Sequence, residues 1–145
     1  MIASFGNGDF SHIGMVVKVE PETQILHATT NDFQEQSNQV LLSTWQQFTN
    51  QRVAKRIAVA RPQFLSPEQR QRISTRLLTE LVKPFVLAAR DQEHLYCTTI
   101  MAAAIEAEYP AFEVTWSWLD QPLVRGEYLH PEAFATYQGI EWVQP

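Results

Sequence analysis

Apolar and polar residues alternate near the start of the chain with the period of two that is typical of β-strands. The alternation covers residues 13–19, after a Gly-rich segment at residues 5–9 that we interpret as a turn. A Pro-containing turn at residues 20–23 leads into a second strand-like segment at residues 24–29. Two such segments joined by a short turn predict an antiparallel hairpin.

Two later segments have the spacing of amphipathic helices. The first begins at Ser66, which we interpret as an N-cap followed by Pro67 in the first turn and Gln69 in a capping box. Its apolar residues share one helical face: Ile73, Leu77, Leu78 and Leu81. Lys83 and Pro84 are predicted to end it. The second helix is predicted over residues 97–108, before Pro110.

Weaker patterns predict five further features. They are a polar loop at residues 31–38, a short helix capped by Ser43 and carrying Trp45 and Phe48, a strand at residues 53–60 ended by Pro62, a strand at residues 112–118, and a short helix at residues 131–137. Together the elements predict one α+β domain over residues 1–145, with helices packed on a small antiparallel sheet.

Charge and composition exclude several classes of function. The 145-residue chain carries a net charge of −5, so it lacks the basic surface that general nucleic-acid binding needs. No apolar run reaches the roughly 18 residues of a membrane span, and residues 1–9 do not have the pattern of a standard signal peptide. The single cysteine fits a reducing compartment. We therefore expect a cytoplasmic protein, or one exported without a signal peptide.

Cys97 is the best candidate for a nucleophile. It is the only cysteine in the chain, so it makes no internal disulfide, and it stands where a polar loop gives way to the second predicted helix. Backbone N–H groups and the helix dipole at such a position favour the thiolate. Burial as a small apolar residue is the alternative.

His12 and His27 are the candidates for a base and for the group that orients it. The predicted hairpin brings the two within cross-strand reach. His27 is the preferred orienting residue, and Thr29, two residues further along the same face, is the weaker substitute. His94 lies three residues before Cys97, but a base so close in a loop would be poorly held.

The order of a Ser-His-x-Gly strand, a polar residue one strand later and a Cys that opens a helix resembles the circularly permuted papain-like group of the NlpC/P60 superfamily, of the YiiX/YaeF type. The resemblance rests on three stretches, residues 8–16, 25–28 and 96–100, with a weaker echo at residues 129–134. It departs from the common pattern in two places, because Thr98-Thr99-Ile100 stands for Ser-Glu-Leu and His27 stands where a carboxylate is frequent.

The resemblance implies a cysteine hydrolase or acyl transferase that needs no cofactor. Cys97 and His12 would form a thiolate–imidazolium pair, and Cys97 would attack an amide or ester to form a thioester. His12 would be the base, His27 would orient it, and the Cys97 N–H would help to form an oxyanion hole. Cell-wall peptides are the favoured substrates, and esters or phospholipid acyl groups are the enzymatic alternative. An effector of this type would be expected to have an immunity protein as its partner.

Three aromatic residues are candidates for substrate binding. Trp116 and Trp118 share a face of the predicted strand and would line an acyl or peptide groove, with core packing as the alternative. Tyr96 would give its hydroxyl to the site, or pack before the helix. Two other functions stay open: a binding module that has lost the chemistry, and a zinc site formed by His12, His27 and Cys97, although their spacing lacks the short ligand pairs of structural zinc sites.

Overall fold

The computed structural model describes residues 10–30, 38–50, 54 and 56–143. This part of the chain is α+β. Its strands are β1 (Met15–Lys18), β2 (Gln24–Thr29), β3 (Gln39–Thr44), β4 (Val59–Pro62), β5 (Ser117–Gln121), β6 (Val124–Tyr128) and β7 (Ile140–Val143). Its helices are α1 (Trp45–Phe48), α2 (Pro67–Leu78), α3 (Cys97–Glu108) and α4 (Glu132–Ala135). The predicted turn at residues 5–9 and all but the last residue of the predicted loop at residues 31–38 lie outside the described residues.

The predicted hairpin is confirmed, and a third strand joins it. β1, β2 and β3 form an antiparallel sheet in that order, with β2 in the centre. Leu26 of β2 lies opposite Met15 of β1 and Leu42 of β3. β2 is buried along almost its whole length, so this sheet has material packed on both of its faces.

The prediction missed β3, and its helix cap was one residue early. The N-cap of α1 is Thr44, whose hydroxyl accepts from the Gln47 N–H, while Ser43 lies within β3. The apolar run Val40-Leu41-Leu42, which includes a β-branched residue, is typical of a buried strand. The capping signal of adjacent Ser43 and Thr44 concealed where that strand ends.

α2 begins as predicted and ends early. Ser66 is its N-cap, and the Ser66 and Gln69 side chains form the reciprocal capping box. The helix stops at Leu78, because Thr79 turns its hydroxyl back to the Arg76 carbonyl at 2.6 Å. Val82 then adopts a positive φ of 65°. The expectation that the helix continues to Lys83 is therefore wrong.

α3 has the predicted bounds, Cys97–Glu108, and is buried over most of its length. It packs with α2 on the β1–β3 sheet around a continuous apolar core that includes Leu26, Ala28, Val40, Ile73, Leu77, Met101 and Ile105. At its C-terminal end, Glu108 accepts from Arg72 at 2.6 Å and from Arg76 at 3.0 Å. These ion pairs hold the two helices side by side.

The C-terminal part contains more strand than predicted. Residues 112–116 are not a strand, and β5 starts only at Ser117, from which it pairs with β6. The connecting residues, Pro122 and Leu123, have none of the Asn-Gly character of common hairpin turns, which explains why β6 was not predicted.

A second small pair of strands joins the middle of the chain to its end. β7 pairs antiparallel with β4, so Val59 lies opposite Val143 and Pro62 opposite Ile140. The strand predicted at residues 53–60 overlaps β4 only at its last two residues, because residues 56–58 are not a strand and β4 continues to Pro62, which pairs with Ile140. Residues 51–53 and 55 lie outside the described part. α4 lies within the predicted helix at residues 131–137.

Among the residues that the structure describes, no helix is long and apolar enough to cross a membrane.

Candidate active site

The Cys97 thiol lies at the first residue of α3, as predicted, and is 2% exposed. The nearby backbone N–H groups of Ile13, Thr98 and Cys97 itself favour the thiolate and lower the pKa of Cys97. Burial outweighs them and raises the pKa of Cys97 to about 12. The helix start is therefore not sufficient to ionise this group, and the resting residue is a neutral thiol at pH 7.

The thiol lies close to the segment that leads into β1. The backbone N–H of Ile13, the residue directly after His12, is near enough to lower the pKa of Cys97. The start of α3 and the approach to β1 are therefore neighbours, although about 85 residues separate them along the chain. The nucleophile candidate thus lies beside the residue that follows the base candidate.

His12 and His27 form a hydrogen bond between His12 Nε2 and His27 Nδ1 at 2.8 Å. Their rings meet edge to face, with centroids 5.0 Å apart. The hairpin brings the two together, and this bond occupies His12 Nε2, so Nδ1 is the ring nitrogen left for another partner. Thr29, the substitute candidate, is buried on the same strand, but the ring bonded to His12 is that of His27.

Both imidazoles are held neutral. Burial lowers the pKa of His12 to about 4, and burial together with the nearby His12 lowers the pKa of His27 to about 3. A buried imidazolium would lose its hydration without a carboxylate to replace it. With the neutral thiol of Cys97, the resting site therefore carries no net charge.

Ser43 is the site residue that sequence reasoning missed. His27 Nε2 and the Ser43 hydroxyl oxygen are 2.7 Å apart, and Ser43 is fully buried. In the ladder between β2 and β3, Ile25 lies opposite Ser43 and His27 opposite Leu41, so Ser43 is the diagonal neighbour of His27 on the same face. Recognising β3 in the sequence would have placed Ser43 beside His27.

Phe48, on the short helix α1, covers the two imidazoles. Its ring centroid is 5.1 Å from that of His27 and 5.8 Å from that of His12. The sequence interpretation gave Phe48 only a place on a short helix. The ring shields the pair from water and adds to the burial that keeps both groups neutral.

The start of α3 is fixed by a second set of bonds to the C-terminal part of the chain. The Thr98 hydroxyl donates to the Leu129 carbonyl at 2.7 Å, and the Leu129 N–H donates to the Tyr96 hydroxyl at 3.0 Å. The Tyr96 N–H donates to the Thr99 hydroxyl at 3.0 Å. The Thr98 hydroxyl thus ties the residue after the thiol to the C-terminal part of the chain, and the Thr99 hydroxyl holds the first turn of α3 locally.

Tyr96 is therefore placed differently from the substrate-binding role predicted for it. Its side chain is buried in the core, and its hydroxyl already accepts a bond from Leu129. Burial raises the pKa of Tyr96 to about 12. These contacts favour the alternative interpretation, packing before the helix.

The two tryptophans differ from each other. Trp116 precedes β5, packs against the core and lies under the Arg90 guanidinium, 4.8 Å from its ring centroid. Trp118, in β5, is 65% exposed. The shared strand face expected for them is absent, because only Trp118 belongs to the strand.

His94 stands apart from the site. Its Nδ1 is 2.8 Å from the Gln92 carbonyl oxygen, and its ring packs against Trp116. Its ring also lies 5.9 Å from that of Tyr96, so its described contacts are with Gln92, Tyr96 and Trp116. Within the described ranges, no three His, Cys, Asp or Glu side chains form a group that could hold a metal ion, so the zinc alternative gains no support there.

Comparisons with protein-family models, with curated proteins and with solved structures found no match for this chain. The resemblance to the permuted papain-like group therefore rests on the sequence stretches described above.

Proposed function

We propose that this protein is a cysteine hydrolase of the permuted papain-like type that cleaves an amide bond through a thioester intermediate on Cys97. One observation carries the proposal: the thiol at the start of α3 lies near the Ile13 N–H, directly after a histidine that is hydrogen-bonded to a second histidine. Thiol-based acyl transfer requires a nucleophile, a base and a group that orients the base.

The reaction begins from a neutral pair rather than from a preformed ion pair. Because the pKa of Cys97 is raised to about 12 and that of His12 lowered to about 4, the proton stays on sulfur at rest. It moves to His12 Nδ1 as the sulfur attacks the carbonyl carbon. The carbonyl oxygen takes up the negative charge, and the Cys97 N–H at the helix start is positioned to stabilise it.

The remaining steps return the site to its starting state. The carbon–nitrogen bond breaks, and His12 gives its proton to the departing amine. A water molecule then attacks the thioester, loses a proton to His12 and releases the carboxylic acid, while the sulfur regains its proton. His27 keeps the His12 ring in place throughout through the bond at 2.8 Å.

Peptides of the bacterial cell wall are the favoured substrates, on the strength of the family resemblance. Esters and phospholipid acyl groups are the alternative, because the same steps apply to them with an alcohol as leaving group. An immunity-type partner would accompany the protein if it acts as an effector.

The test combines turnover with detection of the intermediate. Purified peptidoglycan fragments and an activated acyl ester are incubated with the native protein, with Cys97→Ala and with a control, Thr75→Ala on α2. Native protein and control should release product and show an acyl adduct on Cys97 by intact-protein mass spectrometry. Cys97→Ala should lose at least about 1000-fold in rate with an unchanged melting temperature. Full activity in Cys97→Ala, or no adduct and no product with the native protein, would contradict the proposal.

A binding module without catalysis is the second candidate. It is favoured by one observation, the 2% exposure of a thiol whose pKa lies at about 12. A module of this kind would form no acyl adduct with any ester, and Cys97→Ala would bind peptidoglycan fragments as tightly as the native protein does.

A further inference from the structure

We propose that Ser43 is a positioning residue that keeps His12 in the tautomer able to accept the proton of Cys97. The proposal rests on the proposed hydrolase function, in which His12 is the base. Three side chains on three neighbouring segments form an unbroken chain of hydrogen bonds. His12 Nε2 is 2.8 Å from His27 Nδ1, and His27 Nε2 is 2.7 Å from the Ser43 hydroxyl oxygen.

A neutral imidazole carries one proton, on either of its two nitrogens. Both nitrogens of His27 are hydrogen-bonded in this chain, so the bond on one side determines the direction of the bond on the other. Because both histidines are held neutral by burial, the chain has two self-consistent directions and no charged alternative.

Only one of these two directions of hydrogen bonding leaves His12 able to act as a base. If the Ser43 hydroxyl accepts from His27 Nε2–H, then His27 Nδ1 must accept from His12 Nε2–H, which leaves His12 Nδ1 without a proton. In the opposite direction the hydroxyl donates to His27, His27 donates to His12, and the proton of His12 sits on Nδ1. With Nδ1 already protonated and Nε2 accepting from His27, that ring has no lone pair left to take the proton of a thiol.

Ser43 is well placed to make this choice. Ser43 is 1% exposed, and its backbone position in β3 is fixed by its pairing with Ile25 of the central strand β2. A hydroxyl can donate or accept, and in the proposed arrangement this buried hydroxyl accepts from His27 Nε2–H, where solvent water does not replace it. Removing the hydroxyl takes away the bond that stabilises the His27 Nε2–H tautomer, and the alternative tautomer then gains population.

The experiment reads the tautomer directly. Long-range ¹⁵N–¹H correlation spectra distinguish protonated from bare ring nitrogens, and the four histidines of the chain are assigned from single His→Gln variants. In the native protein we expect His12 to be protonated at Nε2 and bare at Nδ1. Finding the proton on Nδ1 would overturn the proposal without any variant.

The variants then test whether Ser43 is the cause. Ser43→Ala should populate the His12 Nδ1–H form and lower the rate of Cys97 acylation by about 10- to 100-fold, the range seen when groups that orient a functional histidine are removed. The control, Ile73→Val, loses comparable stability in the core far from the site and should keep both the native tautomer and the native acylation rate. Unchanged His12 signals in a folded Ser43→Ala would refute the role.

A matched pair covers the case in which Ser43→Ala does not fold. Ser43→Thr and Ser43→Val add nearly the same volume and differ in the hydroxyl, so only Ser43→Thr should keep the native tautomer. Equal behaviour of the two variants would contradict the proposal. Failure of the hydrolase function has a different signature: the predicted tautomer would be present in the native protein, but no acyl adduct would form on Cys97.

Discussion

The Phe48 ring packs directly against the backbone of Gly14. A Cβ atom built on Gly14 would lie 2.8 Å from Cε2 of that ring and 2.6 Å from Cγ2 of Ile25. Both distances are too short for a carbon–carbon contact. The absence of a side chain at position 14 thus allows an aromatic ring to approach His12 and His27 closely enough to cover both.

Replacing Gly14 by alanine should destabilise the protein. The added methyl group must displace Phe48 or Ile25, and overpacking of this kind costs about 1–3 kcal/mol. The free energy of unfolding from urea titration measures the loss. Ser11→Ala, at an exposed position of the same segment, is the control and should stay within about 0.5 kcal/mol of the native protein. Equal stability of the two variants would show that the Phe48 ring moves aside with no loss of folding free energy.

Acid should destabilise the fold through the histidine pair. The pKa values of His12 and His27 in the folded protein are lowered to about 4 and about 3, from 6.5. Between the lowered values and 6.5, the unfolded chain binds protons at these two residues that the folded chain does not. The stabilising contribution of the neutral pair is therefore complete above pH 6.5 and is lost as the pH falls.

The measurement is the free energy of unfolding at pH 7.5 and at pH 5. The native protein should lose stability between the two, and His12→Gln should lose less, because one of the two imidazoles has been removed. The same pH dependence in both proteins would mean that burial does not hold His12 neutral.

Local signals decided which parts of the fold were predictable. The capping box of Ser66 and Gln69 marks the start of α2, and the change from polar to apolar residues marks Cys97 as the start of α3, since both depend on neighbours in sequence. After the end of α2, the Val82 N–H donates to the Val40 carbonyl of β3 at 2.9 Å, and no local pattern reveals such a contact.

The candidate site, too, was predictable only where local sequence patterns place its residues. His12 and His27 follow from a hairpin with a short turn, and Cys97 from its helix. Ser43 was missed because its role depends on a third strand, and the resting charge of the site was missed because burial is a property of the whole fold. The thiol looked activated from its helix position alone, and its surroundings reverse that expectation.

Glu108 should make the α2–α3 contact sensitive to acid and salt. Side-chain hydrogen bonds from Arg72 and Arg76 lower the pKa of its carboxyl below the ordinary 4.5. The stabilising contribution of the ionised Glu108 is therefore present above pH 4.5 and is lost as the pH falls through the lowered pKa of this carboxyl.

Glu108→Gln should reduce the dependence of the unfolding free energy on salt and on acidic pH, because screening acts on exposed ion pairs. Glu106→Gln, an exposed position of the same helix, removes an equal charge and is the control. Loss of the salt dependence in both variants would point to net charge as its cause.

Val82 offers a stabilising substitution. Its φ of 65° is strained for a β-branched side chain, and the side chain is 76% exposed, so it contributes little to packing. Val82→Asn should raise the free energy of unfolding by about 1 kcal/mol, since asparagine tolerates this conformation. Val82→Ala keeps most of the strain and should gain much less. A decrease in Val82→Asn would show that the valine side chain makes a contribution that its exposure conceals.

The hydrogen bonds between Leu129 and the residues around Cys97 determine how late in synthesis of the chain the site is completed. His12, His27 and Ser43 belong to the first third of the chain, Cys97 to the second half, and the backbone that fixes the start of α3 comes later still. A growing chain therefore carries its histidine pair long before it has a thiol, and the thiol before it is anchored. Whatever chemistry the site performs becomes available only when synthesis has passed Leu129.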